Sequence, residues 1–135
     1  MLRTEDPGLL TGRREYLADL PLVGRLHAVF VRSDVAHGVI NEIHIEDAAE
    51  MPGVVEILTF DTLGVAAHHG FATVHPDFAR PPLADGRVRF VGEPIAVVLA
   101  ETSEQGEDAA EMVWADIEPL PTYVDAEDAL ATGTE

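Results

Sequence analysis

Three histidines and an aspartate share one stretch of the chain, and they are the side chains best suited to hold a metal ion. His68 and His69 are adjacent, and His75 and Asp77 follow in the same glycine- and proline-containing segment. Zinc and iron sites need two or more such ligands held in fixed geometry by rigid elements. Adjacent side chains point apart on an extended chain. The pattern therefore favours a solvated loop over a metal site.

A second candidate is the corner Gly92-Glu93-Pro94, which separates two apolar runs. Proline ends one strand ladder and bends the chain into the next. Two interpretations stay open. Glu93 is either an exposed acid at a strand-to-strand corner or a carboxylate aimed into a neighbouring cavity that Gly92, Glu93 and Pro94 line.

The sequence lacks the usual parts for covalent or phosphate chemistry. It contains no cysteine, which excludes thiolate nucleophiles, disulfides and cysteine-ligated clusters within these residues. It contains no Gly-x-Ser-x-Gly motif. The helix predicted after Thr102 has no glycine-rich loop before it, and Glu101 and Glu104 would repel a phosphate there. We therefore predict no catalytic, cofactor-binding or metal-binding residue in this chain.

Composition indicates a globular and strongly acidic domain. Of 135 residues, 47% are hydrophobic, and 25 acids face 8 arginines and no lysine, for a formal net charge of −17. Such a field repels phosphate backbones and anionic lipids, so we expect neither nucleic-acid nor membrane-surface partners. No apolar run approaches the ~20 residues of a membrane helix. The first residues are polar and acidic, unlike a signal peptide, so we expect a cytoplasmic protein.

Apolar periodicity, caps and breakers then place the elements that must position these residues. Strands are predicted at residues 25–32, 39–45, 54–59, 87–91, 95–100 and 114–118. Both faces of the first strand are apolar, which indicates a central position in a sheet. Helices are predicted at 48–51, at 103–113 and after residue 125; their caps are Asp47, a Thr102–Gln105 capping box, and Asp125.

The remaining segments are irregular. Residues 1–23 are predicted to form an extended N-terminal arm, partly pinned by Leu9, Leu10, Tyr16 and Leu20, and residues 24–135 a single domain. Residues 60–86 are predicted to be a long loop, and loops of that length are usually functional or cover another part of the protein. The order of elements predicts a mixed α+β domain rather than a doubly wound sheet.

Several segments, taken together and in order, resemble one known family. The segments are residues 3–12 with Tyr16 and Asp19, residues 26–33 with Ala36 and His37, residues 51–55, residues 88–98, and residues 109–111 followed by 118–121. In these segments the chain resembles the N-terminal α/β hammerhead domain of the molybdenum hydroxylases. That family includes the aldehyde oxidases, the xanthine dehydrogenases and, with the strongest resemblance, the large subunit of aerobic carbon monoxide dehydrogenase.

The resemblance implies a fold and a place in an enzyme. The implied fold is a small mixed β-sheet with a hammerhead-like β motif and two flanking helices. The implied enzyme is an oxidoreductase that acts on aldehydes, nitrogen heterocycles or carbon monoxide. In the family the molybdenum–pterin cofactor lies in later domains, with iron–sulfur and FAD centres elsewhere. The resemblance thus implies a non-catalytic domain that supports the cofactor domains, with those domains or subunits as partners.

Two other classes of function stay open. The chain could be a stand-alone acidic binding or scaffold module that retains the fold without the enzyme. It could also be a small hydrolase that uses the loop histidines. We further expect exposed apolar surface on the arm and on the long loop (Phe71, Val74, Phe78, Leu83), which favours pairing of two copies against the repulsion of their charge.

Overall fold

The computed structural model describes residues 3–14, 16, 20–73 and 75–131, apart from the side chains of Asp77 and Ala131. The strands are β1 (His27–Arg32), β2 (Gly38–His44), β3 (Val54–Thr59), β4 (Arg87–Val88), β5 (Pro94–Ala100) and β6 (Trp114–Pro119). The helices are α1 (Asp6–Leu10), α2 (Glu46–Ala49), α3 (Phe60–Leu63), α4 (Ser103–Met112) and α5 (Ala126–Ala131), with a 3-10 turn at Pro76–Phe78.

The strands form two small antiparallel sheets, and the α+β class is confirmed. Sheet A has the order β1-β5-β3 and sheet B the order β4-β2-β6, where the family resemblance implied one small mixed sheet. The central strand of sheet A is β5, whose residues are almost all buried. The prediction that the first strand is central is wrong: β1 is an edge strand whose side chains alternate between half-buried and exposed.

Helix α4 packs on sheet A at very short distance because it carries a glycine at the contact. A Cβ atom added to Gly106 would lie 2.7 Å from Cγ2 of Val29 on β1. Ala109 and Val113 pack against Val98 in the main core. Met112 of the same helix is 46% exposed, because the buried side of the helix follows the i, i+4 pair Ala109 and Val113.

A second core lies where sheet B meets the end of sheet A. Ala84, Val88 and Ile95 are buried there. The half-buried residues packed around them come from both sheets and from the connection between β1 and β2: Val31, Val35, Ile40, Ile43, Ala115 and Ile117. Ala115 and Ile117 of β6 face this core, and their partial burial joins the two sheets.

The helix caps were predicted only in part. Asp125 accepts hydrogen bonds at Oδ1 from the backbone N–H groups of Glu127 and Asp128, as predicted. Asp47 does not cap α2, which starts one residue earlier at Glu46 and has no side-chain cap. The first helical residue here is an acid, and its Oε2 accepts a hydrogen bond from the N–H of Ile45 at 3.1 Å.

The predicted capping box at α4 is only half formed. Thr102 Oγ1 accepts a hydrogen bond from the N–H of Gln105 at 3.3 Å. The reciprocal bond is missing, because Gln105 Oε1 is buried without a hydrogen-bond partner. The Gln105 amide instead packs over Gly53, where an added Cβ would collide with it. The Gln105 side chain therefore packs against the turn before β3 and does not form the second hydrogen bond of the capping box.

The long segment after β3 is more ordered than a loop. It opens with α3, whose capping box joins Thr59 and Thr62, and the backbones of His68 and Arg80 exchange two hydrogen bonds of 2.9 Å. Leu83, which we expected at the surface, is 1% exposed. Leu83 is buried because it directly precedes Ala84, whose N–H donates to the carbonyl of Pro94 at the start of β5.

The N-terminal arm is less pinned than predicted. Its first part is a short helix, α1, and Leu10 and Tyr16 are 86% and 66% exposed. Leu9 is also exposed, while Leu20 is half-buried. Asp19 and Val74, which the sequence analysis named, lie outside the described residues. The proposed boundary at residue 23 stays a prediction.

We expect the β5 strand to be the most sensitive part of the fold. Val97 is 6% exposed, so Val97→Ala removes two buried methyl groups and should lower the free energy of unfolding by about 1–3 kcal/mol. The matched control is Val55→Ala on β3, where the side chain is 54% exposed and the cost should stay within about 0.5 kcal/mol. Urea denaturation measures both, and a loss below ~0.3 kcal/mol for Val97→Ala would show that β5 is not core.

Candidate functional site

The corner predicted at Gly92-Glu93-Pro94 is a tight β-turn. The N–H of Glu93 donates to the carbonyl of Phe90 at 3.2 Å, which closes a four-residue turn. Gly92 occupies its third position with φ of 88°, a conformation that turns of type II reserve for glycine. Pro94 is the first residue of β5. Proline has no backbone N–H, and at the first position of a strand this does not remove a hydrogen bond from the interior of the ladder.

The turn is fastened to the end of β1. The N–H of Gly92 donates to the carbonyl of Ser33 at 2.7 Å, and the N–H of Ser33 donates to the carbonyl of Glu93 at 2.9 Å. The guanidinium of Arg32 adds a bond from Nη1 to the carbonyl of Gly92 at 2.9 Å. Because β4 precedes this turn and β5 follows it, the turn fixes the crossing of the chain from sheet B to sheet A.

Glu93 is the one charged residue buried in the described part of the chain. It is 6% exposed, and its Oε2 accepts a hydrogen bond from the N–H of Arg89 at 2.5 Å. Its Oε1 lies 3.9 Å from Nη1 of the same arginine. The carboxylate thus braces the segment that carries Arg89 and Phe90. Val91 closes the strand predicted at residues 87–91, but β4 ends at Val88, and Val91 is 64% exposed because the turn reverses the chain there.

A cleft of about 540 Å³ opens beside this turn. Two segments of the chain line it, and their residues are Phe78, Ala79, Arg80 and Pro81 on one wall and Arg89, Phe90 and Glu93 on the other. The guanidinium of Arg80 lies 5.7 Å from the centre of the Phe90 ring, so the two walls touch at one edge. Gly92 and Pro94 are outside this lining. Glu93 is therefore buried beside a cleft, and a functional role for it there stays a prediction.

The charge of the cleft differs in sign from the charge of the protein. Arg32, Arg80, Arg87 and Arg89 lie on or next to these segments and are half of the chain's eight arginines. Two of them, Arg80 and Arg89, line the cleft against the single carboxylate of Glu93. A chain with 25 acidic residues therefore presents a locally basic and aromatic surface at this corner.

The histidines do not converge. In the part of the chain that the structure describes, no group of three histidine, aspartate or glutamate side chains could hold a metal ion. The ring of His75 meets Phe78 edge-on at 6.1 Å, and His37 is hydrogen-bonded through Nδ1 to the carbonyl of Pro121 at 2.8 Å. These residues therefore do not fit a metal centre, and we assign no chemistry to one here.

The start of α4 carries its own anion. The pKa of Glu104 is lowered, first by a hydrogen bond from its own backbone N–H and then by the Thr102 hydroxyl, with a smaller contribution from His27. A carboxylate thus already interacts with the helix start where a phosphate would have to bind.

Sheet B carries a pair of stacked rings that the sequence patterns did not predict. The rings of His44 and Trp114 stack at 3.8 Å on the outer face of the β2–β6 pair. Beside them Glu42 and Asp116 are direct cross-strand partners, and like charges in that position are destabilising. Their pairing depends on strand register, which neither strand reveals by itself.

The hammerhead resemblance extends over most of the chain. Residues 11–121 match the family model described as "Aldehyde oxidase and xanthine dehydrogenase, a/b hammerhead domain". In addition, no helix in the described residues is long and apolar enough to cross a membrane.

Three curated relatives cover nearly the whole chain. It is 40% identical to the nicotine 6-hydroxylase large subunit of Paenarthrobacter nicotinovorans, over 97% of the chain and 16% of that protein. It is 36% identical to the carbon monoxide dehydrogenase large chain of Hydrogenophaga pseudoflava, over 93% and 16%. It is 32% identical to the xanthine dehydrogenase molybdenum-binding subunit of Escherichia coli O157:H7, over 96% and 18%.

A solved structure agrees with the sequence matches. Quinoline 2-oxidoreductase from Pseudomonas putida 86 superposes with a TM-score of 0.85 at 38% identity, covering 99% of this chain and 18% of that one. The chain thus spans less than a fifth of the length of the proteins it matches.

We expect the buried carboxylate to matter for stability. Glu93→Ala removes a charge-assisted hydrogen bond to the N–H of Arg89 and should lower the free energy of unfolding by about 1.5–3 kcal/mol. Glu93→Gln keeps an acceptor and should cost less. The matched control is Glu101→Ala, an exposed acid just beyond the end of β5. Equal urea midpoints for Glu93→Ala and Glu101→Ala would refute the bracing role.

Proposed function

We propose that this chain supports the molybdenum-cofactor domains of the large subunit. The premise is that the chain belongs to the aldehyde oxidase and xanthine dehydrogenase family, as an a/b hammerhead domain of a molybdenum hydroxylase. The complete enzyme would be an oxidoreductase that acts on an aldehyde, a nitrogen heterocycle or carbon monoxide. The domain itself would supply shape and contacts rather than reacting groups. Its partners would be the remaining domains or subunits of that enzyme.

The surface area of the chain is the observation that carries this role. The chain exposes 10047 Å² of accessible surface, whereas a compact monomer of 14.6 kDa is expected to expose about 6,900 Å². The exposed N-terminal arm contributes to this surplus of roughly 3,100 Å². The part of the surplus that supports packing against another domain is therefore the exposed apolar surface of the described residues.

The exposed apolar residues support the same conclusion, because they are large and grouped. Leu22, Val23 and Leu26 follow one another in the arm and the start of the domain, at 58%, 104% and 44% exposure. Phe30 on β1 is 46% exposed, on the face of sheet A that α4 does not cover. Contiguous surface of this kind usually marks a contact with another protein region.

The chemistry would come from elsewhere in the enzyme. When bound to the cofactor domains, the molybdenum–pterin group would supply the oxidation step. The described residues of this chain offer no ligand set for a metal ion. What they offer is a rigid body with a basic, aromatic cleft at one end.

Purification of the protein from the organism that encodes it tests this role. An affinity tag on the chromosomal copy should recover molybdenum in stoichiometric amount, together with sequence that matches the cofactor-binding part of the curated relatives. The same 135 residues produced alone should carry no molybdenum, iron or flavin. Elemental analysis, an absorption spectrum and peptide mass spectrometry provide the measurements.

Two other outcomes would contradict the proposal. Recovery of the chain without molybdenum and without such sequence would support a stand-alone acidic binding module. Stoichiometric zinc or iron on the isolated 135 residues would support the hydrolase alternative and its loop histidines. Sedimentation of the isolated residues reports separately whether their exposed surface pairs two copies.

A further inference from the structure

We infer that the cleft beside the turn at residues 90–93 is a docking site for an acidic side chain from the cofactor-binding part of the same enzyme, held between the guanidinium groups of Arg80 and Arg89. This inference rests on the proposed function and adds the position and the chemistry of one contact. The observation behind it is the cleft itself, with its two arginines, its two phenylalanines and its buried carboxylate.

The residue types of the cleft are those of an interface centre. Interface cores are enriched in aromatic residues and arginine and are poor in aspartate and glutamate. Phe78 and Phe90 are 63% and 41% exposed, which is unusual for phenylalanine in a domain of mixed composition. Both rings line the cleft together with Arg80, Arg89 and one acid, Glu93, although acids outnumber arginines 25 to 8 in the chain. The composition therefore points to a surface that is covered in the assembled protein.

Charge complementarity identifies the occupant. Arg89 is partly satisfied inside the chain, by the carbonyl of Arg87 at 2.9 Å and by Glu93 Oε1 at 3.9 Å. The guanidinium of Arg80 lies 5.7 Å from the centre of the Phe90 ring, within the range of a cation–π contact. A planar guanidinium pairs best with a carboxylate. The occupant must therefore bring a negative charge rather than an arginine or a lysine.

Glu93 adds a second requirement. Its side chain is only 8% exposed, and its Oε1 is too far from Arg89 for a hydrogen bond. That oxygen can accept one from a group entering the cleft. A single aspartate or glutamate in a loop meets both needs, since its carboxylate faces the arginines and its backbone N–H faces Glu93.

The absence of lysine from the chain makes this contact directly testable. Arg80→Lys and Arg89→Lys each keep the positive charge and introduce the only lysine within these 135 residues. A carbodiimide then couples that amine to any carboxylate in contact with it. The experiment uses the assembled enzyme purified through its tag, and Arg13→Lys in the exposed arm is the matched control.

We expect the amine introduced by Arg80→Lys or by Arg89→Lys to cross-link to an aspartate or glutamate outside these 135 residues. The yield of this cross-link should be roughly tenfold above that of the Arg13→Lys control. The reason is that the amine in the cleft is held against a carboxylate, whereas the amine at position 13 is not. Coupling of position 89 to Glu93, 3.9 Å away in the wild type, provides an internal standard for the reaction.

The contradicting outcomes of the cross-linking experiment separate the inference from the proposed function. Cross-links confined to residues of this chain, in an enzyme that contains molybdenum, would overturn the inference and leave the proposed function intact. Absence of molybdenum in the wild-type preparation would instead count against the proposed function.

A second measurement separates this partner from a second copy of the chain. Mixing nitrogen-15-labelled and unlabelled enzyme shows by peptide mass whether a cross-link joins two copies of this domain, an outcome that would also overturn the inference. Arg80→Glu should lower the molybdenum content of the purified enzyme, whereas Arg13→Glu, with the same change of charge, should not. Equal contents for the two charge reversals would contradict the docking role.

Discussion

The turn at residues 90–93 constrains the rest of the structure because three parts of the fold meet there. Gly92 reverses the chain at a φ that other residues rarely adopt, and its N–H and the carbonyl of Glu93 both bond to Ser33 at the end of β1. Strand β4 of sheet B ends before this turn, and β5, the central strand of sheet A, begins after it. Without the turn, the second core, which is built from residues of both sheets, could not close.

Glu93 links this structural role to the surface of the protein. A buried charge is tolerated when hydrogen bonds compensate for its lost hydration, and here the backbone N–H of Arg89 does so. The same bond holds Arg89 and Phe90 in one wall of the cleft. Stability and the proposed docking thus depend on one carboxylate, while the outer face of sheet B carries the acids Glu42 and Asp116 as cross-strand partners. The surface is divided into an acidic face and a basic corner.

The sequence predicted local features well and long-range features poorly. Strand β3 and the cap at Asp125 follow from patterns within a few residues, and both were predicted correctly. The two-sheet arrangement and the edge position of β1 depend on which strands pair, and pairing is decided between residues distant in sequence. The resemblance of ordered segments to one family correctly identified the fold where periodicity alone gave only its class.

The candidate site shows the same division. The corner was recognisable because glycine and proline enclose an acid, but its burial was not, since the opposite wall comes from residues 78–81. Leu83 was misplaced at the surface for a related reason: it lies in a glycine- and proline-rich segment yet packs beneath it at 1% exposure. Local composition predicts the conformation of the chain around a residue. It does not predict burial, which depends on segments that are distant in the sequence.

Hydrogen–deuterium exchange tests the central claim most directly, because it compares the same amides in the isolated 135 residues and in the assembled enzyme. The account predicts slower exchange on assembly for the segments around Phe78 and Arg80 and around Phe90 and Val91, with little change at the solvent-facing acids of α4. Equal exchange of the corner in both states, in an enzyme that contains molybdenum, would show that this surface is not where the domain meets its partner.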